Sequence, residues 1–238
     1  MHTQTATGRT ASFNLAGPSK RFEGSATTTG FLSSISAFQK IKTGKTLFAE
    51  GDDADTVFEV VQGILKLYKL LPDGRRQIMG FVSTDKLIGF GDDDSYPYTA
   101  EAVTEVTLCR YSRNQFDRLL DEVPGFARRV LAARSQDLQS AQDQMLLLGR
   151  KTAIERIATF LLHLGKLQLA SSGGTSLLVP MTRADIADYL GLTIETVSRS
   201  LTKLKRDRII NLPEAVRVTV VDRDRLEELA AGETLEAA

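Results

Sequence analysis

The chain has 238 residues, 42% of them hydrophobic, and its thirty basic and thirty acidic residues leave it formally neutral. That length suits one large domain or two small ones with real cores, here read as two, while neutrality excludes a protein that coats nucleic acid by bulk positive charge. One cysteine, Cys109, and two histidines, His2 and His163, exclude an intramolecular disulfide and leave almost no material for a histidine metal site or a catalytic triad, so neither metal nor enzyme is expected.

No apolar run approaches the ~20 residues of a membrane span, and the N-terminus lacks a signal-type apolar segment. A cytoplasmic chain without a membrane partner is the expectation. Residues 1–28 are rich in Thr, Ser, Gly and Ala and read as a tail. Phe31 to Gln39 reads as a short helix. Glycine-punctuated β-type runs follow at Thr46–Phe48, Val57–Val61, Ile64–Leu70, Gln77–Val82, Ala100–Val103 and Val106–Tyr111. The turns between them fall at Gly44, Gly51, Gln62-Gly63, Pro72-Asp73-Gly74 and Gly89–Pro97. Short strands at regular spacing with no intervening helix predict a small antiparallel barrel or jelly roll over residues 29–120.

After Arg113 the period becomes helical. Asn114–Leu120 reads as a short helix, and Pro124 opens a longer one to about Leu148, within a segment spanning 121–149. Leu131, Leu138 and Met145 recur every seven residues, with Ala141 and Leu148 at the offset of the intervening seam position. The stripe predicts either a two-helix dimer interface or a helix packed on its own roll. Dimerisation is the favoured reading.

Thr152–Leu169 is a strongly apolar helix that begins a second domain over 150–231, and His163 within it reads as a packing or surface residue. After the Ser171–Gly174 loop and a strand at Ser176–Val179 come two helices joined at a glycine, Thr182 to Arg208. Thr182 with Asp185 three residues on forms a capping-box pattern. Ile186 and Leu190 share a face, Ala187 admits a crossing helix, and Gly191 permits a left-handed turn. Thr193 can cap the second helix, which buries Val197, Leu201 and Leu204 and offers Glu195, Ser198, Arg199 and Thr202.

Arginine binds guanine O6 and N7 bidentately, glutamate accepts from cytosine N4, and serine can sit by a thymine methyl. Ile194–Arg208 also holds five basic residues (Arg199, Lys203, Lys205, Arg206, Arg208) against Glu195 and Asp207, an excess suited to the phosphates of double-stranded DNA. A solvated amphipathic hairpin is the plainer reading; the cap, small residue, glycine and exposed Glu-Ser-Arg together favour the helix-turn-helix. Thr182, Thr193, Thr196, Lys203 and Lys205 are the candidate backbone contacts. Ile209–Leu212 and Val216–Val221, flanking Pro213-Glu214-Ala215, read as a wing, followed by a helix at Arg223–Ala231 and a tail at 232–238.

This order of roll, long helix and winged helix-turn-helix resembles the CRP/FNR family of bacterial transcription regulators. The resemblance rests on Asp143–Leu148 running into Ile154-Glu155-Arg156, and on Asp188 through Arg199, both similar to the FNR branch that includes FixK. It implies an α+β fold with a cyclic-nucleotide-binding-like β-roll, a long dimerisation helix and a winged helix-turn-helix. It further implies a homodimer in which Glu195, Ser198 and Arg199 read a TTGA…TCAA-type palindrome, as an activator of low-oxygen or nitrogen-fixation genes. The alternative is a ligand-gated member with a small effector in the roll.

Family members that bind a cyclic nucleotide carry an Arg-Ser-Ala clamp, where this chain has Tyr98-Thr99-Ala100, beside Asp92 to Asp94. Members with an iron-sulfur cluster use four cysteines, and Cys109 alone matches the internal one. No cofactor is expected, and Cys109 reads as a strand-packing residue, with a redox-sensitive thiol as the minor alternative. The resemblance also makes the Leu71–Arg76 hairpin, with Asp73, Arg75 and Arg76, a contact for RNA polymerase; an exposed turn is the plainer reading.

Overall fold

The computed structural model describes residues 37–90, 94–169 and 175–232. The expected tail over 1–28, the Ser171–Gly174 loop and all but Gly232 of the tail expected over 232–238 lie outside the described residues, Gly232 capping the last helix. The described residues build eight strands, three helices, a strand, the helix pair, a two-stranded wing and a closing helix.

Two four-stranded antiparallel sheets form the roll. One has the order β1 (Ala37–Ile41), β8 (Val106–Ser112), β3 (Thr56–Gln62), β6 (Leu87–Ile88). The other has the order β2 (Thr46–Phe48), β7 (Thr99–Ala102), β4 (Leu65–Leu70), β5 (Arg76–Val82). Their facing sides bury Val60, Leu65, Ala100, Val106 and Leu108 with an aromatic group of Phe48, Phe58 and Tyr96, in which Phe48 stacks on Tyr96 at 3.8 Å between ring centroids. The outer side of the first sheet is covered by α1 (Arg113–Glu122) and the start of α2 (Pro124–Arg150), which bury Cys109, Phe116, Leu119, Phe126 and Val130 together.

The helix expected over Phe31–Gln39 is corrected for its last residues, since 37–39 belong to β1; 31–36 are outside the described residues. Phe38 stands opposite Cys109, and Ile41, opposite Val106, enters the core. A free edge on β8 rewards pairing more than a short apolar run rewards helix formation. β6 was not anticipated, being only two residues; it pairs with Phe58 and Glu59 of β3.

A second core begins with α3 (Ala153–Leu169), whose Ile157, Ala158, Phe160, Leu161 and Leu164 are buried. Against it pack α4 (Arg183–Leu190), α5 (Ile194–Arg206), α6 (Arg223–Ala231) and a three-stranded sheet of order β10 (Ile210–Glu214), β11 (Arg217–Val220), β9 (Ser176–Leu178). Pro213 and Glu214, expected in the wing's turn, close β10 instead. The register shifts between Asn211 and Glu214, which lets the proline sit where no ladder amide is needed. The second core also takes in Ile64, Phe81 and Val103 from the roll, so the two parts share apolar surface.

Candidate nucleic-acid interface

α4 starts where the sequence places it. The Thr182 hydroxyl accepts from the Asp185 amide, and the Asp185 carboxylate accepts from the Thr182 amide at 3.1 Å. Gly191 ends it in the left-handed region at φ +61°. A Cβ there would meet Leu148 Cδ2 at 3.4 Å, an ordinary contact, so it is the left-handed conformation and not crowding that suits glycine. Thr193 then caps α5, accepting from the Thr196 amide, and the two threonine hydroxyls lie 3.0 Å apart.

Val197, Ser200, Leu201 and Leu204 are the buried side of α5, and Glu195, Ser198, Arg199, Thr202, Lys203, Lys205 and Arg206 are all exposed. Ser198, Arg199, Thr202, Lys203 and Arg206 line one shallow open groove. The Glu195 carboxyl is held below its ordinary value by its own backbone amide, the Thr193 hydroxyl and the Arg199 guanidinium. It is therefore a pure acceptor at neutral pH, four residues before a pure donor. Thr182 and Thr193 are exposed at the two helix starts and Thr196 is half-buried, so all three hydroxyls serve the helix ends.

α2 leaves a stripe open. Leu131, Leu138, Met145 and Leu146 are 70%, 61%, 66% and 63% exposed, and Ala141 lies exposed between them. Leu148 departs from the expected seam. It is half-buried against the second core beside fully covered Leu147, because α2 meets α3 and α4 at this end and its last turn packs inward. Leu146, which the heptad pattern passes over, is exposed in its place.

At the Leu71–Arg76 hairpin, Asp73 and Arg75 are exposed and bonded to each other at 2.7 Å. Arg76 turns the other way. Its guanidinium donates through Nε to Asp188 at 2.8 Å and through Nη2 to Asp185 at 2.8 Å, which engages it with α4.

Sequence reasoning missed Arg156. It donates to the carbonyls of Leu148, Lys151 and Leu190 at 2.8–2.9 Å, gathering the C-terminal ends of α2 and α4. The Glu-Arg pair after Ile154 was visible in the sequence, but nothing local indicated which carbonyls it would meet. Where a nucleotide clamp would stand, the Tyr98 hydroxyl lies 3.4 Å from the Gly89 amide, and the Thr99 hydroxyl accepts from the Glu50 amide at 3.0 Å. Asp94 is described, whereas Asp92 and Asp93 are not. Cys109 is buried. No helix among the described residues is long and apolar enough to cross a membrane.

A family model for the Crp-like helix-turn-helix domain matches residues 155–229, and one for the cyclic nucleotide-binding domain matches residues 38–123. The nitrogen fixation regulation protein FixK of Bradyrhizobium diazoefficiens is 42% identical over 190 residues, covering 79% of this chain and 80% of that protein. The transcriptional activatory protein AadR of Rhodopseudomonas palustris is 44% identical over 190 residues, 79% of this chain and 78% of that one. Among solved structures, FixK2 from Bradyrhizobium japonicum superposes with a TM-score of 0.76 at 36% identity, covering 86% of this chain and all of that one. These relatives are regulators and not enzymes. The chain belongs to the CRP/FNR family of transcription regulators, with FixK-type proteins among its relatives.

Proposed function

We propose that this chain is a homodimeric activator that reads a TTGA…TCAA-like palindrome through α5, in the service of low-oxygen or nitrogen-fixation genes. The observation that carries the reading is the exposed Glu195, Ser198 and Arg199 face, presented by a helix whose other side is locked into the second core. Arg199 binds a guanine through O6 and N7, Glu195 accepts from a cytosine amino group, and Ser198 sits by a thymine methyl. Lys203 and Lys205 meet phosphates, as do the helix starts near Thr182, Thr193 and Thr196, where the helix dipole favours anions.

The exposed stripe of Leu131, Leu138, Ala141, Met145 and Leu146 pairs with its copy to space two reading heads across the palindrome. Asp73 and Arg75, at the tip of the hairpin, form the contact with RNA polymerase.

Activation here needs no cyclic nucleotide and no iron-sulfur cluster. The phosphate clamp is replaced by Tyr98 and Thr99, whose hydroxyls already hold backbone amides. Phe48, Phe58 and Tyr96 pack together in the core between the two sheets. Selection of duplexes from a random pool tests the reading. An inverted repeat with a G·C pair at the Arg199 position is expected; recovery of no common motif would overturn it.

A further inference from the structure

We infer that Arg76 and Lys66 of the roll are positioning residues for DNA binding: they grip α4 and so set the angle at which α5 is presented. The inference rests on the reading of α5 as the base-contacting helix. Lys66 lies on β4 and points out of the roll, with its side chain only 8% exposed. Its ammonium sits between Glu101 of β7 at 3.0 Å and Asp185 of α4 at 2.8 Å. Arg76 of β5 adds Asp185 and Asp188, both on α4 and at 2.8 and 2.7 Å.

Two cations from one sheet therefore meet two carboxylates one turn apart on the helix that supports the reading helix. Asp185 is also the N3 residue of the α4 capping box, so the roll's charges are bonded to the group that fixes where α4 begins. Beside them Phe81 of β5 meets Tyr189 of α4 edge-on at 5.3 Å, and Tyr189 also meets Phe160 of α3.

The other end of α4 is held as well. Arg156 bonds the Leu190 carbonyl at 2.8 Å, and Gln144 of α2 bonds the Tyr189 carbonyl at 2.7 Å. A helix held at both ends, by the roll at its start and by α2 and α3 at its end, cannot rotate without breaking these ion pairs. The Lys66–Asp185 pair, nearly dry, does more for one geometry than for stability, because desolvation offsets much of its attraction.

All of these contacts fall on the α4 side, while Glu195, Ser198, Arg199 and Lys203 stay open. The grip is thus compatible with a bound duplex, and it preorganises the head without hiding it.

Arg76→Gln and Asp188→Asn are the variants of choice, since both side chains are partly exposed and Asp188 is not the capping residue. Two readouts separate positioning from folding. The first is the distance distribution between spin labels on Lys42→Cys in the roll and Glu228→Cys on α6, both exposed, in full-length protein with DNA absent. The second is duplex affinity together with the ratio of affinities for the chosen palindrome and its guanine-substituted form.

Each single variant should broaden the distance distribution and weaken palindrome binding about tenfold, as a tenfold fall in the competent fraction requires. The base-discrimination ratio should stay unchanged. The double variant should be no worse than either single one, and Arg76→Lys should restore part of the affinity. Unchanged distances with unchanged affinity would overturn the inference, as would tighter binding, which would make the contact a brake. Loss of discrimination in Arg199→Ala, measured beside these, tests the base-contacting role separately, so failure of one reading is not mistaken for failure of the other.

Discussion

Arg199 stands on an exposed helix face with its guanidinium free to form a fork, the geometry that distinguishes guanine from the other bases in the major groove. Arg199→Ala should cost about 1–3 kcal/mol at the preferred site and relax the choice of that base. A competition titration with single-base-substituted duplexes checks this, and full discrimination by the variant would refute the role. Asp185 offers a test from acid stability. Burial disfavours its charge, but the Lys66 ammonium and the Thr182 hydroxyl and amide outweigh this and hold the carboxyl below its ordinary value. Its ionic contribution is therefore complete above the ordinary aspartate value of about 3.9 and is lost as pH falls through the lower folded value. In denaturant melts below about pH 4, the wild type should lose stability more steeply with falling pH than Asp185→Asn. Equal slopes would mean that the ion pairs contribute nothing there. The exposed placement of Arg199 and Glu195 was legible in the sequence because a capped amphipathic helix states its own faces. Asp185 was legible only as a cap, since its partners Lys66 and Arg76 are 119 and 109 positions away.

Helices whose period, cap and stop signal agreed could be read before folding: α4 and α5 begin at Thr182 and Thr193 caps and turn at Gly191. Strands announced themselves by β-branched runs between glycines. The exceptions were segments whose state is decided by a distant partner: β1, which needs the edge of β8, and two-residue β6, which needs β3. The exposed stripe of α2 coincides with the first three heptad positions, Leu131, Leu138 and Met145, and Leu148 departs from it because a third element packs on that turn. Gly191→Ala should destabilise the second domain by about 1–2 kcal/mol, the cost of a side chain in left-handed backbone. Thermal unfolding measures this, and an unchanged midpoint would contradict the turn's need for glycine. Leu138→Asp removes an exposed leucine from the stripe, and in a symmetric pair each change counts twice. Lost burial of about 1.5–3 kcal/mol per side should raise dimer dissociation at least about a hundredfold. Sedimentation equilibrium reads that directly, and a variant still dimeric at the wild-type concentration would move the interface elsewhere.

Over the whole molecule the charge is arranged rather than accumulated. A formally neutral chain concentrates Arg199, Lys203, Lys205 and Arg206 on a helix whose one acidic residue is Glu195, while other carboxylates, among them Asp185 and Asp188, lie on the roll side of the same hairpin. Such a protein should bind duplex DNA with a salt slope set by a few phosphates per head and should hold random DNA weakly. On the proposed reading, roll, long helix and reading head act as one device, in which the long helix pairs two copies and the roll fixes the angle of each head. The most direct test is a fluorescence anisotropy titration of the full-length protein at about 0.15 M salt against an intact TTGA…TCAA palindrome, one half-site and a scrambled duplex. The palindrome should bind at least about a thousandfold more tightly than the scrambled duplex, with the half-site between them. Equal affinity for all three duplexes would contradict the account.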